Sequence, residues 1–316
     1  MNCDAHDNAV KSLGDNLPDV ETLETGHPAK TLHAENIALE NFLDSFNLDD
    51  AEDTCAKFPR LNAIHAHYGK KEFLFMPILS QRGFPHPATF MWQVDDEIKK
   101  SVRTLAKNLS PENFAARKDK ISETLQNLRD MIDREENVFI PMALKLFTDA
   151  DWLAVYRDSL EMTPAFIAEI PRWQSAQIPA AAETFALDGK ISFPTGELSF
   201  NQLLGIFKLL PVDITFIDAD NVIRFFVNEG KIFDRPRISL GNEIFACHPP
   251  QVQPVIRKLL EDFKAKKRDR MEVWRPIKGK PVSVQYFAVY DAASEYIGAV
   301  EIVQEHSAAL QKFAKG

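Results

Sequence analysis

The segments Glu72-Phe73-Leu74-Phe75-Met76-Pro77 and Glu136-Asn137-Val138-Phe139-Ile140-Pro141 repeat one pattern about sixty residues apart. Each has a glutamate, four mostly apolar residues and a proline, and each follows charged residues late in a helical pattern. Two copies of such a segment indicate a duplicated helix pair. Two helix pairs predict a four-helix bundle, and bundles commonly build sites in their cores from inward-facing side chains.

Apolar residues at helical spacing extend this bundle over residues 27–170. The motif Ser110-Pro111-Glu112 predicts the start of the fourth helix, because serine caps a helix and proline suits its first position. The domain is therefore predicted to be all-α. Its main helices are expected at about residues 32–46, 58–82, 85–108 and 110–146, with a shorter fifth helix at 149–161.

The sequence pattern changes in the second domain, which we place at residues 199–307. Residues 212–217 and 222–227 alternate at period two around a turn, which predicts a β-hairpin. An amphipathic helix at 251–266 follows, and the domain is therefore α+β. Three further strands are predicted at 270–276, 282–290 and 297–304. The segments outside the two domains are a lead-in at 1–26, a linker at 171–198 and a tail at 308–316.

Length and composition restrict the class of protein. At 316 residues with 45% hydrophobic content, the chain is long enough for two domains with separate cores. No run reaches the roughly 18 apolar residues of a membrane span, and the N-terminus lacks the features of a secretory signal. Cys3, Cys55 and Cys247 form no CxxC pair and are expected to be free thiols. We therefore expect a cytoplasmic protein with no membrane partner.

Negative charge is concentrated in the first 54 residues, which hold 13 acidic side chains and two basic ones. Their net charge of −11 leaves +2 for the remaining residues, since the whole chain carries −9. The first 26 residues are polar and acidic with little apolar periodicity, so we expect them to be disordered. No basic stripe with interleaved aromatic residues occurs, which argues against nucleic acid as a partner.

Two stretches resemble the second and fourth helices of the hemerythrin-like (HHE cation-binding) bundle: HYGKKEFLFMPIL at 67–79 and REENVFIPMAL at 134–144. The stretch GNEIFACHP at 241–249 resembles the PAS pattern of a glycine, an apolar run and His-Pro. With GHPAKTLHAENIALE at 26–40 and MWQVDDEIKK at 91–100, this pairing resembles a bacterial family of unassigned function. The resemblance implies a four-helix bundle followed by a PAS domain with a five-stranded antiparallel sheet.

The hemerythrin-like pattern implies a pair of iron ions held by side chains from all four helices. Helices one and three each supply a histidine, and helices two and four each supply His-x-x-x-Glu. His67 and Glu135 fit this pattern, and the helix-three position falls within Asp95-Asp96 without a choice between the two. The chain departs from the pattern at Asn36, Lys71 and Met131.

Three interpretations of these residues remain open. In the first, Lys71 neutralises Asp96 or Glu135 across the core, so that an ion pair replaces the charge of a metal. His67 and Lys71 share a helix face, whereas Glu72 points about 140° away from His67 and is no substitute ligand. In the second, all of these side chains face solvent. In the third, an unconventional iron or zinc site uses His67, Asp96 and Glu135, with either His33 or His65.

The ligand of the PAS-like domain is unknown from the sequence. His248 is a candidate heme ligand, but the PAS pattern already explains it as part of a helix start. Cys247 precedes His-Pro-Pro, which departs from the Asn-Cys-Arg context of a photoactive flavin site. Neither heme nor flavin is therefore expected.

The sequence contains no Gly-x-Ser-x-Gly elbow, phosphate-binding loop or dinucleotide fingerprint, so enzymatic activity is left open. We predict a cytosolic sensory or regulatory protein whose bundle and PAS domain respond to a small ligand, a redox change or a metal. The alternative is a non-heme iron protein, enzymatic or not, that handles oxygen or nitric oxide. An apolar helix at 203–210 predicts a protein partner or a homodimer through the PAS region.

Overall fold

The computed structural model describes residues 19–176, 189–227, 232–233 and 235–313. The chain divides into two compact units after residue 177. The first unit is helical, and the second combines a five-stranded antiparallel sheet with helices. The predicted fold class, an all-α bundle followed by an α+β domain, is confirmed.

Four long helical segments form the bundle of the first unit. The first and third are the single helices Pro28–Asp44 and Pro85–Asn108, whereas the second and the fourth each contain a π turn. The helices are α1 (Pro28–Asp44), α2 (Ala51–Lys57), α3 (Ile64–Lys70), α4 (Met76–Gln81), α5 (Pro85–Asn108), α6 (Phe114–Arg134), α7 (Ile140–Leu146) and α8 (Asp149–Ser159). The π turns are Lys71–Phe75 and Glu135–Phe139, and 3₁₀ turns lie at Val20–Thr22 and Phe58–Ala63.

The two π turns lie at the same place in the repeated segments, just before the prolines. The Met76 N–H bonds the carbonyl of Lys71, and the Ile140 N–H bonds the carbonyl of Glu135, each five residues back. Proline at the next position has no N–H, and its ring would clash with the carbonyl four residues earlier in a regular helix. The wider π turn makes room for the ring, so the helix continues beyond the proline.

The fourth bundle helix begins at Phe114, four residues after the predicted serine cap. The side chain of Asn113 accepts the N–H of Ser110 at 3.1 Å and donates to the carbonyl of Asn108 at 2.8 Å. These bonds hold residues 110–113 in a turn between the third and fourth helices. The predicted helix start was therefore too early.

Part of the predicted disordered lead-in is packed against the bundle unit. Glu24 accepts hydrogen bonds from the side chain of Trp173 and the backbone of Ser175, each at 3.1 Å. Gly26 has a φ of +88°, and a Cβ there would lie 2.3 Å from the backbone nitrogen of Trp173, so this approach requires glycine. The lead-in thus differs from the prediction over residues 19–26. Parts of the predicted lead-in, linker and tail, at 1–18, 177–188 and 314–316, lie outside the described residues.

The second unit contains the predicted hairpin and all three further strands. In its five-stranded sheet every neighbouring pair is antiparallel, and the strands lie in the order Ile223–Phe226, Asp213–Asp218, Tyr296–Glu305, Lys280–Tyr290 and Arg270–Ile277. An additional two-stranded hairpin lies in the predicted linker. The elements are β1 (Lys190–Phe193), β2 (Gly196–Ser199), α9 (Phe200–Leu209), β3 (Asp213–Asp218), β4 (Ile223–Phe226), α10 (Gln253–Lys264), β5 (Arg270–Ile277), β6 (Lys280–Tyr290), β7 (Tyr296–Glu305) and α11 (Ser307–Phe313).

The core of this unit lies between one face of the sheet and α10. Alternate residues of β3 are buried, as the period of two requires. Side chains from β3, β6, β7 and α10 form one apolar cluster, which includes Ile217, Val284, Val303, Leu259 and Phe263. Across the part of the chain that is described, no helix has both the length and the apolarity needed to cross a bilayer.

Candidate functional site

His67 lies in the bundle core and is fully buried. Its Nδ1 is 2.8 Å from Oε2 of Glu35 on the first bundle helix. Its Nε2 is 2.9 Å from Oε2 of Glu135 on the fourth bundle helix. Both carboxyl groups are fully buried as well. His67 therefore bridges carboxylates from two other helices and uses both ring nitrogens to do so.

Lys71, one turn after His67, is also fully buried. Its Nζ is 2.8 Å from Oδ1 of Asp95 on the third bundle helix. It also contacts Oε1 of Glu135, the carboxylate oxygen that His67 does not bond. The ammonium group lies 4.3 Å from the ring centroid of Tyr68, which is a cation–π arrangement. Glu135 thus pairs with two basic side chains of the second bundle helix.

Lys70 adds a third basic side chain from the same helix. Its Nζ is 2.8 Å from Oε1 of Glu35 and donates to the carbonyl of Thr163 at 2.8 Å. Glu35 also accepts the backbone N–H of Ala165 at 2.9 Å. Three basic side chains of one helix therefore meet three buried carboxyl groups, one from each of the other helices. We refer to these residues as the ion-pair core: Glu35, His67, Lys70, Lys71, Asp95 and Glu135.

The carboxylates keep His67 protonated at neutral pH. Burial alone lowers the pKa of His67, but Glu135 and Glu35 outweigh burial and raise the pKa to about 9. Burial raises the pKa of Glu135, but Lys71 and His67 outweigh this effect and lower the pKa to about 2. At neutral pH the pair is therefore an imidazolium ion and a carboxylate.

Lys71 and Asp95 respond differently to burial. Burial lowers the pKa of Lys71, but Asp95 and Glu135 outweigh it and raise the pKa. At Asp95 burial is the larger effect, and it raises the pKa in spite of Lys71. Among the described residues, neither Asp95 Oδ2 nor the Tyr68 hydroxyl has a hydrogen-bond partner, although both are buried. The core around Lys71 therefore keeps unused hydrogen-bonding capacity, which is uncommon in a folded interior.

Of the predicted metal donors, the structure brings His67 and Glu135 together but leaves Asp96 outside the core. Asp96 Oδ1 is 2.8 Å from Nζ of Lys99, which also bonds Glu72 at 2.6 Å. Lys71 pairs with Glu135, as the first interpretation expects, but its second partner is Asp95 rather than Asp96. Neighbouring residues lie about 100° apart around a helix, so only one of two adjacent aspartates faces inward.

The two optional histidine donors lie elsewhere. His33 places Nδ1 2.7 Å from Glu136 Oε2 and Nε2 3.1 Å from Glu21 Oε1. Burial and nearby basic side chains lower the pKa of His65 to about 4. Neither histidine is a partner of His67, whose ring nitrogens both bond glutamates.

Sequence reasoning missed Glu35 and Lys70 and left Asp95 undecided. Helical spacing could have identified Glu35 and Asp95, because core positions of a helix recur at intervals of three and four residues. Both acids lie at such positions in the buried stripes of α1 and α5. The stripe of α5 includes Met91, Asp95, Ile98, Val102 and Leu105, and that of α1 includes Leu32, Glu35, Leu39 and Leu43.

The ion-pair core does not fit an iron pair or a zinc ion. Both ring nitrogens of His67 lie within hydrogen-bond distance of carboxylates, so neither is directed at an open metal position. Lys71 brings a positive charge among the carboxylates that a metal would need. Within the residues that the structure describes, no group of three His, Cys, Asp or Glu side chains is arranged to hold a metal ion.

A second cluster of buried charges lies on the inner face of the five-stranded sheet. Arg235 donates to Asp213 Oδ2 at 3.2 Å and to Glu301 Oε2 at 2.8 Å. The Tyr286 hydroxyl donates to the other oxygen of Glu301 at 2.9 Å. Burial raises the pKa of Glu301, but Arg235 and His248 are among the groups that outweigh it and lower the pKa. The inner face therefore carries an ion-pair network instead of an entirely apolar surface.

Two atoms of this inner face have unused hydrogen-bonding capacity. Asp213 Oδ2 accepts the backbone N–H groups of Ile232 and Phe233, each at 3.1 Å. Its Oδ1 and the hydroxyl of Thr215 are buried without a hydrogen-bond partner among the described residues. Thr215 is the cross-strand neighbour of Glu301, so these groups belong to one cluster. Buried polar atoms without partners are uncommon in a folded interior.

Two family models match the chain, one over each unit. The model described as "Hemerythrin HHE cation binding domain" matches residues 27–143. The model described as "PAS domain" matches residues 203–306. No curated protein matches the chain.

Several solved structures are similar to part of the chain. The C-terminal domain of a Streptococcus mutans protein is 29% identical, with a TM-score of 0.37, over 39% of this chain and 96% of that one. A sensory box sensor histidine kinase from Vibrio cholerae is 11% identical, with a TM-score of 0.26, over 33% of this chain and 87% of that one. A PAS domain from Colwellia psychrerythraea is 14% identical, with a TM-score of 0.28, over 33% of this chain and 94% of that one. The two family matches identify the chain, which joins a hemerythrin HHE domain to a PAS domain.

Proposed function

We propose that this chain is a cytoplasmic sensory or regulatory protein whose PAS domain receives a chemical signal on the inner face of its sheet. The observation that supports this proposal is the pair of buried atoms without partners, Asp213 Oδ1 and the Thr215 hydroxyl. Ligand sites combine an apolar surround with a few polar groups that fix orientation. A small molecule that donates hydrogen bonds would complete this cluster, and the pairs around Arg235 would respond to its binding.

The Thr215→Val variant tests this site, because valine keeps the shape of the side chain and removes only the hydroxyl. Without ligand we expect unchanged or slightly higher stability, since a buried hydroxyl without a partner is unfavourable. A panel of small amides, amidines and sugars is screened by thermal shift on the full chain. A compound that binds wild-type protein should bind Thr215→Val about tenfold more weakly.

Thr215→Ser is the matched control, because it retains the hydroxyl and loses the methyl group. We expect it to keep the ligand response of wild-type protein. Equal binding of a compound to wild-type protein and Thr215→Val would place the ligand away from this cluster.

The alternative function, a non-heme iron protein that handles oxygen or nitric oxide, is less well supported by the bundle core. An iron or zinc site at His67, Asp96 and Glu135 stays a prediction, and it needs the bonds of His67 and Lys99 to rearrange. Stoichiometric iron in wild-type protein purified without chelator would favour this alternative. Metal-independent bundle stability would favour a helical signalling module.

We propose further that α9 of the PAS domain is a contact surface for a second copy of the chain. Phe207 packs on Phe225 with ring centroids 5.5 Å apart, so one side of the helix covers the domain. Leu209 and Ile206 remain 85% and 44% exposed. Exposed apolar side chains clustered on one helix are typical of a surface that is covered by a partner.

Leu209→Glu is expected to convert a dimer into a monomer, because it places a charge in the proposed contact. Multi-angle light scattering at high protein concentration measures the change. Phe313→Glu is the control, since Phe313 is equally exposed but lies on α11. A wild-type protein that is monomeric at high concentration would rule out the homodimer, and α9 would then have another partner.

A further inference from the structure

The ammonium group of Lys71 lies where carboxyl groups from two other helices converge. Asp95 Oδ1 is 2.8 Å away, Glu135 Oε1 is in contact, and the ring of Tyr68 lies 4.3 Å from the nitrogen. All four side chains are buried, so the charge of Lys71 is balanced by these groups rather than by water. Protein groups therefore take the place of the water molecules that surround a cation in solution.

More oxygen atoms lie around the ammonium group of Lys71 than it bonds. Asp95 Oδ2 and the Tyr68 hydroxyl are buried and have no partner in the described residues. Carboxylate oxygens are the ligands that hard divalent cations prefer. We infer that Lys71 is a covalently attached substitute for a divalent cation, and that it fills a latent cation site formed by Asp95 and Glu135.

The repeated helix pair supports this inference independently. Lys71 and Glu135 are the first residues of the two π turns, and each lies six residues before the proline of its repeat. A glutamate at both positions would place two carboxylates beside Asp95, and their charge would have to be neutralised by a bound cation or by protons. Lysine at one position supplies that positive charge from the chain itself.

An attached cation also closes the site to dissolved ions. A metal ion would have to displace the ammonium group, which the chain holds beside Asp95 and Glu135. The effective concentration of this attached group is higher than the concentration of most dissolved ions. The wild-type core is therefore stable without metal and selective against it. This role of Lys71 is independent of the signal that the PAS domain receives.

The test removes the lysine and offers Mn²⁺ to the full-length chain. Wild-type protein and Lys71→Ala are freed of metal with chelator and titrated with MnCl₂, and electron paramagnetic resonance measures free Mn²⁺. Lys71→Ala is expected to bind about one Mn²⁺ per chain, at least about tenfold more tightly than wild-type protein. Saturating Mn²⁺ should raise the melting temperature of the variant by about 5–10 °C and leave wild-type protein unchanged.

Lys70→Ala is the matched control, because it removes a buried lysine that pairs with Glu35 rather than with Asp95 or Glu135. It should gain no Mn²⁺ binding, and Lys71→Ala/Asp95→Ala should lose it. If Lys71→Ala is unfolded without metal, Mn²⁺ should restore its helical circular dichroism. A folded Lys71→Ala that binds no Mn²⁺, a variant that stays unfolded with Mn²⁺, or equal binding by wild-type protein would each overturn the inference.

Discussion

Replacing Lys71 by glutamate is expected to lower the free energy of unfolding of the metal-free protein by about 3–5 kcal/mol. The substitution removes the ammonium group that pairs with Asp95 and Glu135 and adds a carboxylate beside them. All three positions are buried, so solvent does not screen the repulsion. Breaking a buried pair is costly because the remaining charge stays uncompensated.

Urea unfolding in the presence of chelator measures this effect through tryptophan fluorescence. Three of the four tryptophans, Trp92, Trp152 and Trp173, lie in the bundle unit and report on it. Lys100→Glu is the control, because Lys100 is exposed on α5, and its effect should stay within about 0.5 kcal/mol. An unchanged unfolding midpoint for Lys71→Glu would contradict a buried ion pair at Lys71.

The stabilising contribution of His67 is expected to disappear as the pH rises from about 6.5 to about 9. Folding raises the pKa of His67 from 6.5 to about 9, so the folded state holds the proton more tightly than the unfolded state. The contribution is therefore complete below pH 6.5 and lost above pH 9. The difference between these pKa values corresponds to about 3 kcal/mol.

The free energy of unfolding of wild-type protein, minus that of His67→Gln, measures this contribution at pH 6 and pH 9.5. We expect the difference to shrink by about 3 kcal/mol, while Glu135, whose pKa is about 2, stays ionised throughout. His27→Gln is a control of opposite sign, because burial lowers the pKa of His27 to about 4. Equal differences at both pH values would mean that His67 is neutral in the folded bundle.

The sheet of the PAS domain could be predicted from the sequence because its signals are local. The alternation of β3 and the turn at Asp218 identify the β3–β4 hairpin within about fifteen residues. The cluster around Arg235 could not be predicted in this way. Its partner Glu301 lies 66 residues along the chain, and only the folded sheet brings the two together.

In the bundle, helix periodicity placed Lys71 on the face of His67, and the contact of both with Glu135 agrees with it. The choice between Asp95 and Asp96 depends on which face of α5 is buried. The buried stripe of α5 identifies that face, whereas the family pattern does not. Glu35 was hidden because the family pattern directs attention to the neighbouring position, Asn36. A buried acid is recognised only when its partners on other helices are known.

Lys71 and Glu135 occupy equivalent positions of a duplicated helical hairpin, yet they carry opposite charges. In a dimer of two identical hairpins, one codon would specify both positions, and their side chains would be the same and repel. The Lys71–Glu135 pair is therefore an interaction that needs two different copies of the repeat, which a symmetric dimer of identical hairpins does not supply.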